Sequence, residues 1–426
     1  MFLPNKVVPV ILVLVFSTIA NAENTNVLTL QSALSIAVQD NPNLAQIQAR
    51  SDAMATIPSQ VGTLPDPVIS FNALNLPVDT FDTAQENMTQ LQGGISQAIP
   101  FPGKLALREQ AATYQAEAAT HDVTEARFNL LRDVKNIWWT LFYLNRSLDI
   151  IVANQNLLRQ FVKIARTKYE VGEGLQQDVL LAQLELSKLL DNKLRLTGAK
   201  EKTRAQLNAL LNKPANHTIN IPEQTSEDLP SLLVESVLFQ QAESYRALLA
   251  SRRKSINGAQ ARLDLAKKGY YPDFKVGAFY GGRDDTLSGQ NRADFLSLKL
   301  SMNVPIFAAS KQQKAVDQRS SELMQQRYAL QDQWNKVRAE ISMAYSDFHQ
   351  TKNQAVLFKS GIIPQARQTV ASMLAGYQVN KVDFLNLVRS QITLYNYEIQ
   401  YWQALTQANQ ALAQLTAVVG KEEIYE

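Results

Sequence analysis

Residues 104–171 read KLALREQAATYQAEAATHDVTEARFNLLRDVKNIWWTLFYLNRSLDIIVANQNLLRQFVKIARTKYEV, a stretch with neither glycine nor proline. A helix through all of it would be about 100 Å long, at about 1.5 Å per residue. Apolar residues occupy two heptad positions in its second half: Val134, Leu141 and Leu148, and Ile137, Leu144, Ile151 and Leu158. We therefore predict one continuous helix with a coiled-coil seam.

The long helix belongs to a unit that occurs twice in the chain. Tyr169-Glu-Val171 returns as Tyr377-Gln-Val379, at an offset of 208 residues. Self-similarity at a fixed offset indicates a duplication. We predict a first repeat at residues 23–215 and a second at 216–426. Each repeat is ordered as a short helix, two strands, a very long helix, a tight turn and a returning helix.

The second repeat carries helix breakers that the first repeat lacks. Its long helix is expected to start at about Ser310, and Gly361 and Pro364 interrupt it. Proline has no N–H and clashes with the preceding turn of a helix, so we expect a bend at this point.

The predicted strands alternate between apolar and polar side chains. The alternation is clearest from Leu296 to Ile306, and the other strands are expected at about residues 68–76, 91–99 and 274–280. A run of this length and period is typical of a β-barrel strand that crosses a membrane. By itself, the alternation fits a half-buried strand of a soluble sheet equally well.

The residues that flank the strands also repeat. Pro65-Asp66 before the first strand matches Pro272-Asp273 before the third. Pro100-Phe101 after the second strand matches Pro305-Ile306 after the fourth. These matches extend the duplication through the strand region.

The N-terminus has the pattern of a secretory signal peptide, which we assign to residues 1–22. Lys6 provides a positive charge, Val7 to Ile19 is apolar, and Ala20-Asn21-Ala22 is a small-x-small cleavage pattern. The apolar run is shorter than the roughly 20 residues that a membrane-spanning helix needs. We therefore predict an exported protein.

The composition excludes several classes of function. The chain has no cysteine and three histidines, so no metal site is expected, and none of the motifs of cofactor-binding or catalytic sites occurs. The net charge is +3, and the charges are mixed along the chain without a basic block that would bind nucleic acid. We therefore expect neither an enzyme nor a cofactor.

The strand count predicts an oligomer. Four strands per chain cannot close a barrel, and an open sheet edge in lipid leaves backbone groups without partners. Two chains would give eight strands, but a barrel of about eight strands is filled by its own side chains. A conducting pore therefore favours three or more chains. We predict an α+β membrane protein in which a long α-helical coiled-coil barrel continues a transmembrane β-barrel built from four strands per chain.

These features resemble the outer-membrane efflux (TolC-like) proteins over almost the whole mature chain. The resemblance rests on the duplicated unit, on Tyr169-Glu-Val-Gly172 with Asp178-Val-Leu-Leu-Ala-Gln183 and their repeat, and on the corner Pro100-Phe-Pro-Gly-Lys104. It implies a homotrimer with a 12-stranded barrel, which serves as an exit duct in the outer membrane of a Gram-negative bacterium and has a periplasmic extension. A periplasmic adaptor and an inner-membrane pump, of the RND type, are the implied partners. The corner and Leu64-Pro-Asp-Pro67 are most similar to members that export heavy-metal cations.

The resemblance also implies a gate at the periplasmic end. Asp178 and Tyr377 match two positions that hold family members shut, so a hydrogen bond from the phenol to the carboxylate is expected. The family's acidic ring falls on Asn386 and Arg389, so it is missing here or moved to Asp383. The family's basic partner falls on Val382, so this chain should have fewer locking bonds.

The two hairpin tips are the implied docking points for the adaptor. Gly172, Gly174 and Leu175 form the first tip, and Asn380 and Lys381 form the second. Glycine allows the chain to reverse with a positive φ angle. A plain turn between helices explains these residues equally well.

Three alternatives to a metal duct stay open on the sequence. A multidrug duct or a type I protein-secretion duct of the same fold would have the same helices and strands. A periplasmic coiled-coil protein would lack membrane strands, and a secreted enzyme would need a catalytic constellation that the sequence does not display.

Overall fold

The computed structural model describes residues 27–425; the predicted signal peptide, residues 1–22, lies outside them. The first half contains α1 (Leu30–Asp40), α2 (Pro42–Ala55), α3 (Ile57–Gly62), β1 (Val68–Leu74), β2 (Gln90–Ile99), α4 (Lys104–Glu170) and α5 (Gln176–Leu210). The second half contains α6 (Glu235–Tyr245), α7 (Ala247–Lys268), β3 (Phe274–Gly282), β4 (Phe295–Met302), α8 (Gln312–Leu357), a π-helical turn (Phe358–Ile362), α9 (Ile363–Gln378) and α10 (Phe384–Val419).

Helix α4 is one uninterrupted helix of 67 residues, as predicted. It begins after Gly103, whose φ of +88° is strained for any residue with a Cβ. The heptad residues Val134, Leu141 and Ile151 are buried. Along its length α4 packs against α5, α7 and α10, so both repeats share it as a common support.

The predicted bend in the second long helix is a π-helical turn. It spans Phe358–Ile362, and Pro364 follows in the first turn of α9, where a missing N–H costs little. Glu227, from the segment between the repeats, accepts a bond from Lys359 Nζ at 2.6 Å and another from the hydroxyl of Tyr401. The bulge is therefore tied to both α10 and the linker between the repeats.

The four strands form one antiparallel sheet in the order β1-β2-β3-β4. Two predicted strand ends were wrong. Strand β4 ends at Met302, because the chain turns at Pro305, with Ile306 N–H donating to the carbonyl of Val304. Strand β1 ends at Leu74, because Asn75 adopts a left-handed backbone with φ of 53°.

One face of the sheet is apolar and exposed. On β4 the side chains of Leu296, Leu298 and Leu300 are 72–80% exposed, and on β1 the side chain of Phe71 is 85% exposed. The register places apolar residues opposite one another, for example Val276 opposite Leu300. The alternation predicted from the sequence therefore separates the two faces of the real sheet.

An ion pair with a buried lysine connects the two repeats where the sheet meets the helices. Lys104 at the start of α4 is 6% exposed, and its Nζ lies 2.8 Å from the Asp273 carboxylate. Phe101 N–H donates to the same carboxylate at 2.8 Å, and the ring of Phe101 stacks on Tyr271 with centroids 4.5 Å apart. The repeated Pro-Asp before β3 thus anchors the corner that follows β2.

We predict that Asp273→Asn destabilises the folded protein. The change leaves the buried ammonium of Lys104 without its counter-charge, which should lower the free energy of unfolding by about 1–3 kcal/mol. Urea unfolding in detergent, followed by circular dichroism, measures this difference. The matched control is Asp66→Asn in the first repeat, since Asp66 is exposed and makes no side-chain bond within residues 27–425. Equal effects of the two substitutions would contradict the prediction.

Candidate functional site

The first hairpin tip is a Schellman turn at the end of α4. Gly172 has a φ of +79°, its N–H donates to the carbonyl of Tyr169 at 3.1 Å, and Glu173 N–H donates to the carbonyl of Lys168 at 2.8 Å. Gly174 is needed for a different reason, because a Cβ there would lie 2.9 Å from the Cβ of Lys168. The two glycines therefore serve the turn itself.

The second tip repeats this turn with the same offset. Asn380 has a φ of 60°, and its N–H donates to the carbonyl of Tyr377 at 3.2 Å. Lys381 N–H donates to the carbonyl of Gly376 at 2.9 Å. Asparagine tolerates the left-handed backbone better than most residues do, so it replaces the glycine of the first repeat.

Apolar side chains are exposed at both tips. Val171 and Leu175 in the first tip and Val379 in the second are 59–65% exposed. Leu175 also precedes α5 without capping it through its side chain. The tips thus present an apolar surface as well as a turn, which is what a docking protein could cover.

The structure places Tyr377 and Asp178 near each other without the predicted bond. Tyr377 is 5% exposed, and its hydroxyl has no hydrogen-bond partner within residues 27–425. Burial and, after it, the negative charge of Asp178 raise the pKa of Tyr377 to about 12. Burial and then Asp383 raise the pKa of Asp178. The expected phenol-to-carboxylate bond is therefore not made within this chain.

Lys168 is the basic residue that joins the two tips, and the sequence analysis missed it. Its Nζ donates to the carbonyl of Tyr377 at 2.8 Å and also donates to the side chain of Asn380. The ammonium also lies 4.7 Å from the centre of the Tyr377 ring. A cation at a helix C-terminus satisfies carbonyls that have no partner in the helix. The position of Lys168 in the last turn of α4 was the available signal.

The residues around the expected acidic ring have other partners. Asp383 caps α10: it accepts Asn386 N–H at 2.8 Å with one oxygen and the Asn386 amide at 2.9 Å with the other. Arg389 is exposed and forms no ion pair in the described part of the chain. Of Asp383, Asn386 and Arg389, only Asp383 has a carboxylate, and that carboxylate caps α10.

Aromatic packing holds the two tips against each other. The Phe384 ring lies 5.2 Å from the Tyr377 ring and 6.4 Å from the Phe161 ring, so α4, α9 and α10 meet at this point. Higher in the same interface, the Gln391 amide donates to Asn154 Oδ1 at 2.6 Å, with both residues buried. A buried polar pair of this kind fixes the register of packed helices.

Neither metal ligation nor a spanning helix is found in the described residues. Within residues 27–425, no group of three or more His, Cys, Asp or Glu residues could hold a metal ion. In the same residues, no helix is both long enough and apolar enough to cross a membrane.

Two segments of the chain, residues 33–213 and 238–421, match the family model of outer membrane efflux proteins. The chain belongs to this family. Its relatives are channel proteins, so the chain is an outer membrane efflux channel of the TolC type. The resemblance predicted from the duplicated motifs is confirmed.

The chain is also similar in sequence to two characterised proteins, a metal-resistance protein and an outer membrane efflux protein. The cobalt-zinc-cadmium resistance protein CzcC of Cupriavidus metallidurans is 22% identical over 394 residues, which are 92% of this chain and 90% of CzcC. Outer membrane efflux protein BepC of Brucella suis is 24% identical over 70% of this chain and 60% of BepC. The predicted similarity to heavy-metal members is thus confirmed at the level of sequence.

Solved channels share the fold. The outer membrane protein VceC of Vibrio cholerae superposes with a TM-score of 0.78 at 16% identity, covering 92% of this chain and 97% of VceC. CusC superposes with a TM-score of 0.75 at 16% identity, covering 92% of each chain. The mostly helical chain with a small antiparallel sheet therefore matches the fold of this family.

We predict that Lys168 keeps the two tips together. Lys168→Gln removes the charged bond to the end of α9, and the tips should separate more readily. Susceptibility to vancomycin, which is too large for ordinary outer-membrane pores, should rise at an unchanged amount of protein. Lys163→Gln is the matched control, because Lys163 is exposed on the same helix and has no ion pair in the described residues.

The double change Asp178→Ala with Tyr377→Phe separates the two possible locks. Within residues 27–425 the Tyr377 hydroxyl has no hydrogen-bond partner, so the double variant should admit less vancomycin than Lys168→Gln does. The opposite order would mean that the Tyr377 hydroxyl and Asp178, and not Lys168, hold the tips in the assembled channel.

Proposed function

We propose that this protein is the exit duct of a tripartite efflux system, conducting substrates passively across the periplasm and the outer membrane. The observation that carries the proposal is the sheet: one face is apolar and exposed, and each of the edge strands β1 and β4 has one side that no strand pairs within residues 27–425. An apolar face suits lipid, and unpaired edges in lipid require further strands. The long helices continue from this sheet and would form the periplasmic part.

Three copies are the smallest closed assembly that leaves a wide lumen. Two copies would give eight strands and a filled interior, whereas three give twelve. The duplication predicts how neighbouring copies pair: β2 against β3 inside one chain is the template for β4 against β1 of the next copy. Transferring that register with Pro100 matched to Pro305 and Asp273 matched to Asp66 places Ser301 opposite Ser70.

The transferred register passes an internal check. It places Leu300 opposite Phe71 and Lys299 opposite Asn72, so apolar residues meet apolar ones and polar residues meet polar ones. A register shifted by one residue would have crossed the faces. The repeats at residues 23–215 and 216–426 would thus alternate around a homotrimer.

Cross-linking tests the assembly. Ser70→Cys with Ser301→Cys should give disulfide-linked dimers and trimers in membranes, because β1 and β4 lie at opposite edges of one chain and can meet only between copies. The natural sequence has no cysteine, so no other disulfide can form within or between copies. The control pair, Ser70→Cys with Ser297→Cys, lies on the same strands but out of register. A cross-link in the control alone would contradict the transferred register, and a conducting monomer would contradict the trimer.

We propose heavy-metal cations as the cargo, supported by the similarity to CzcC over most of both chains. The runner-up is a multidrug or protein-secretion duct of the same fold, which would have the same helices and strands. We further propose that the tips dock a periplasmic adaptor served by an inner-membrane pump of the RND type, and that Asp178, Tyr377, Asp383, Asn386 and Arg389 surround the gate.

We predict that Leu175→Asp abolishes efflux without reducing the amount of assembled protein. Leu175 is 59% exposed at the first tip, and a carboxylate there would oppose an apolar docking contact. Resistance to cobalt, zinc and cadmium, and to antibiotics, is measured in a host that lacks its own channel and carries the matching pump. Gln177→Asp is the control, because it adds the same charge at an exposed polar position nearby. Full resistance in Leu175→Asp would leave this tip as a turn only.

A further inference from the structure

The four strands contain only two charged residues, and both are lysines. Lys275 lies on β3 and Lys299 on β4. Lys275 is paired with Ser301, and Lys299 is paired with Gly277, so the two lysines are diagonal neighbours on one face of the sheet. Diagonal neighbours are about 7–8 Å apart, which is close enough for like charges to repel.

Neither lysine has a counter-charge in the part of the chain that the structure describes. Within residues 27–425 neither side chain forms an ion pair or a side-chain hydrogen bond, and both are exposed. The nearest carboxylate along the chain, that of Asp273, is held by Lys104 and by the N–H of Phe101. The two ammonium groups are therefore available to ions in solution.

The lysines lie on the face opposite the apolar one. Leu296, Leu298 and Leu300 alternate with Ser297 and Lys299 along β4, so the lysine face is the polar face. No Asp or Glu occurs in any of the four strands. Besides the lysines, this face carries mainly serine, glutamine and glycine.

The ring of Phe279 covers the glycines beside the lysines on the same face of the sheet. It occupies the space that side chains at Gly94 and Gly277 would need, and a Cβ at Gly277 would lie 2.8 Å from the ring. Gly277 is the residue directly opposite Lys299. The aromatic ring and the ammonium groups thus occupy neighbouring positions on the half of the sheet nearer the helices.

We propose that Lys275 and Lys299 form a ring of positive charge inside the strand section, which favours anions and slows free cations. The proposal rests on the proposed function, because it needs the sheet to close with its polar face inward. Three copies would place six ammonium groups at this level. Rings of charged side chains decide the sign of the ions that a pore conducts.

This ring specifies the chemical form of the cargo. Anions, such as carboxylates and phosphates, would be attracted to the strand section. A divalent metal ion would pass the ring more readily when bound by anionic ligands than as the free ion. The attraction acts between exposed charges, so it should weaken at high ionic strength, where the Debye length falls to about 3 Å at 1 M salt.

Single-channel recording of the purified full-length protein in planar bilayers tests the proposal. Under a KCl gradient the wild type should prefer chloride over potassium. In Lys275→Gln with Lys299→Gln the permeability ratio of chloride to potassium should fall by about twofold or more, and the difference should shrink at high salt. Lys275→Arg with Lys299→Arg is the matched control, because it keeps the charge and should keep the preference.

The possible results distinguish a failure of the lysine-ring proposal from a failure of the proposed exit-duct function. If the wild type forms no conducting steps, the proposed duct fails. If it conducts, but the ratio is the same in the wild type and the glutamine variant, the lysine ring is overturned while the duct stands. Where the double variant assembles poorly, Lys275→Gln and Lys299→Gln are recorded singly, and each should move the ratio in the same direction by a smaller factor.

Discussion

The continuity of helix α4 is the constraint on which the rest of the structure depends. Over 67 residues it packs against α1, α2 and α3, against its return helix α5, and against α7 and α10 of the second repeat. A helix without glycine or proline resists bending, so the distance from the sheet to the hairpin tips is set by one stiff element of about 100 Å. Arg246, 2.7 Å from the Glu125 carboxylate, joins the start of α7 to α4 in a largely buried pair. Burial is the main cause that raises the pKa of Glu125, and removing either partner would strand a charge.

The two repeats have the same backbone conformation at their hairpin tips, but they differ in the side chains that make contacts between the repeats. Both tips make the same pair of turn hydrogen bonds at an offset of 208 residues, although one uses glycine and the other asparagine. Lys168 in the first repeat corresponds to Gly376 in the second, so only one tip reaches across to the other. The corner after β2 has the lysine that Asp273 binds, whereas Ala309 stands at that distance from the repeated proline in the corner after β4. Duplication thus supplied the scaffold, and the single-copy substitutions created contacts between the halves.

The charged residues at the hairpin tips and in the strands would influence which ions the proposed channel conducts. At the tips, Asp383 caps a helix, and Asn386 and Arg389 stand where an acidic ring was expected. In the strands, lysine is the only charged residue type. The similarity to CzcC concerns the chain as a whole, whereas these charges lie at particular levels of the proposed channel. Both can hold if cargo selection belongs to the pump and the duct sets only the form in which the cargo leaves.

The sequence by itself determined the long helix, the duplication, the alternation of the strands and the family. These features are local or periodic, so they can be predicted from composition and spacing. A long stretch without glycine or proline favours a continuous helix, and an apolar residue at every second position separates the two faces of a strand. Only the tertiary structure decided that β4 stops at Met302 and that the bend is a π-helical turn held by Glu227. It also decided that the Tyr377 hydroxyl has no partner in the described part of the chain, and that Lys168 bonds to a carbonyl 209 residues away. Each of these depends on which groups that are distant in the chain come within hydrogen-bond distance. The spacing of residues along the sequence does not give their distances in space.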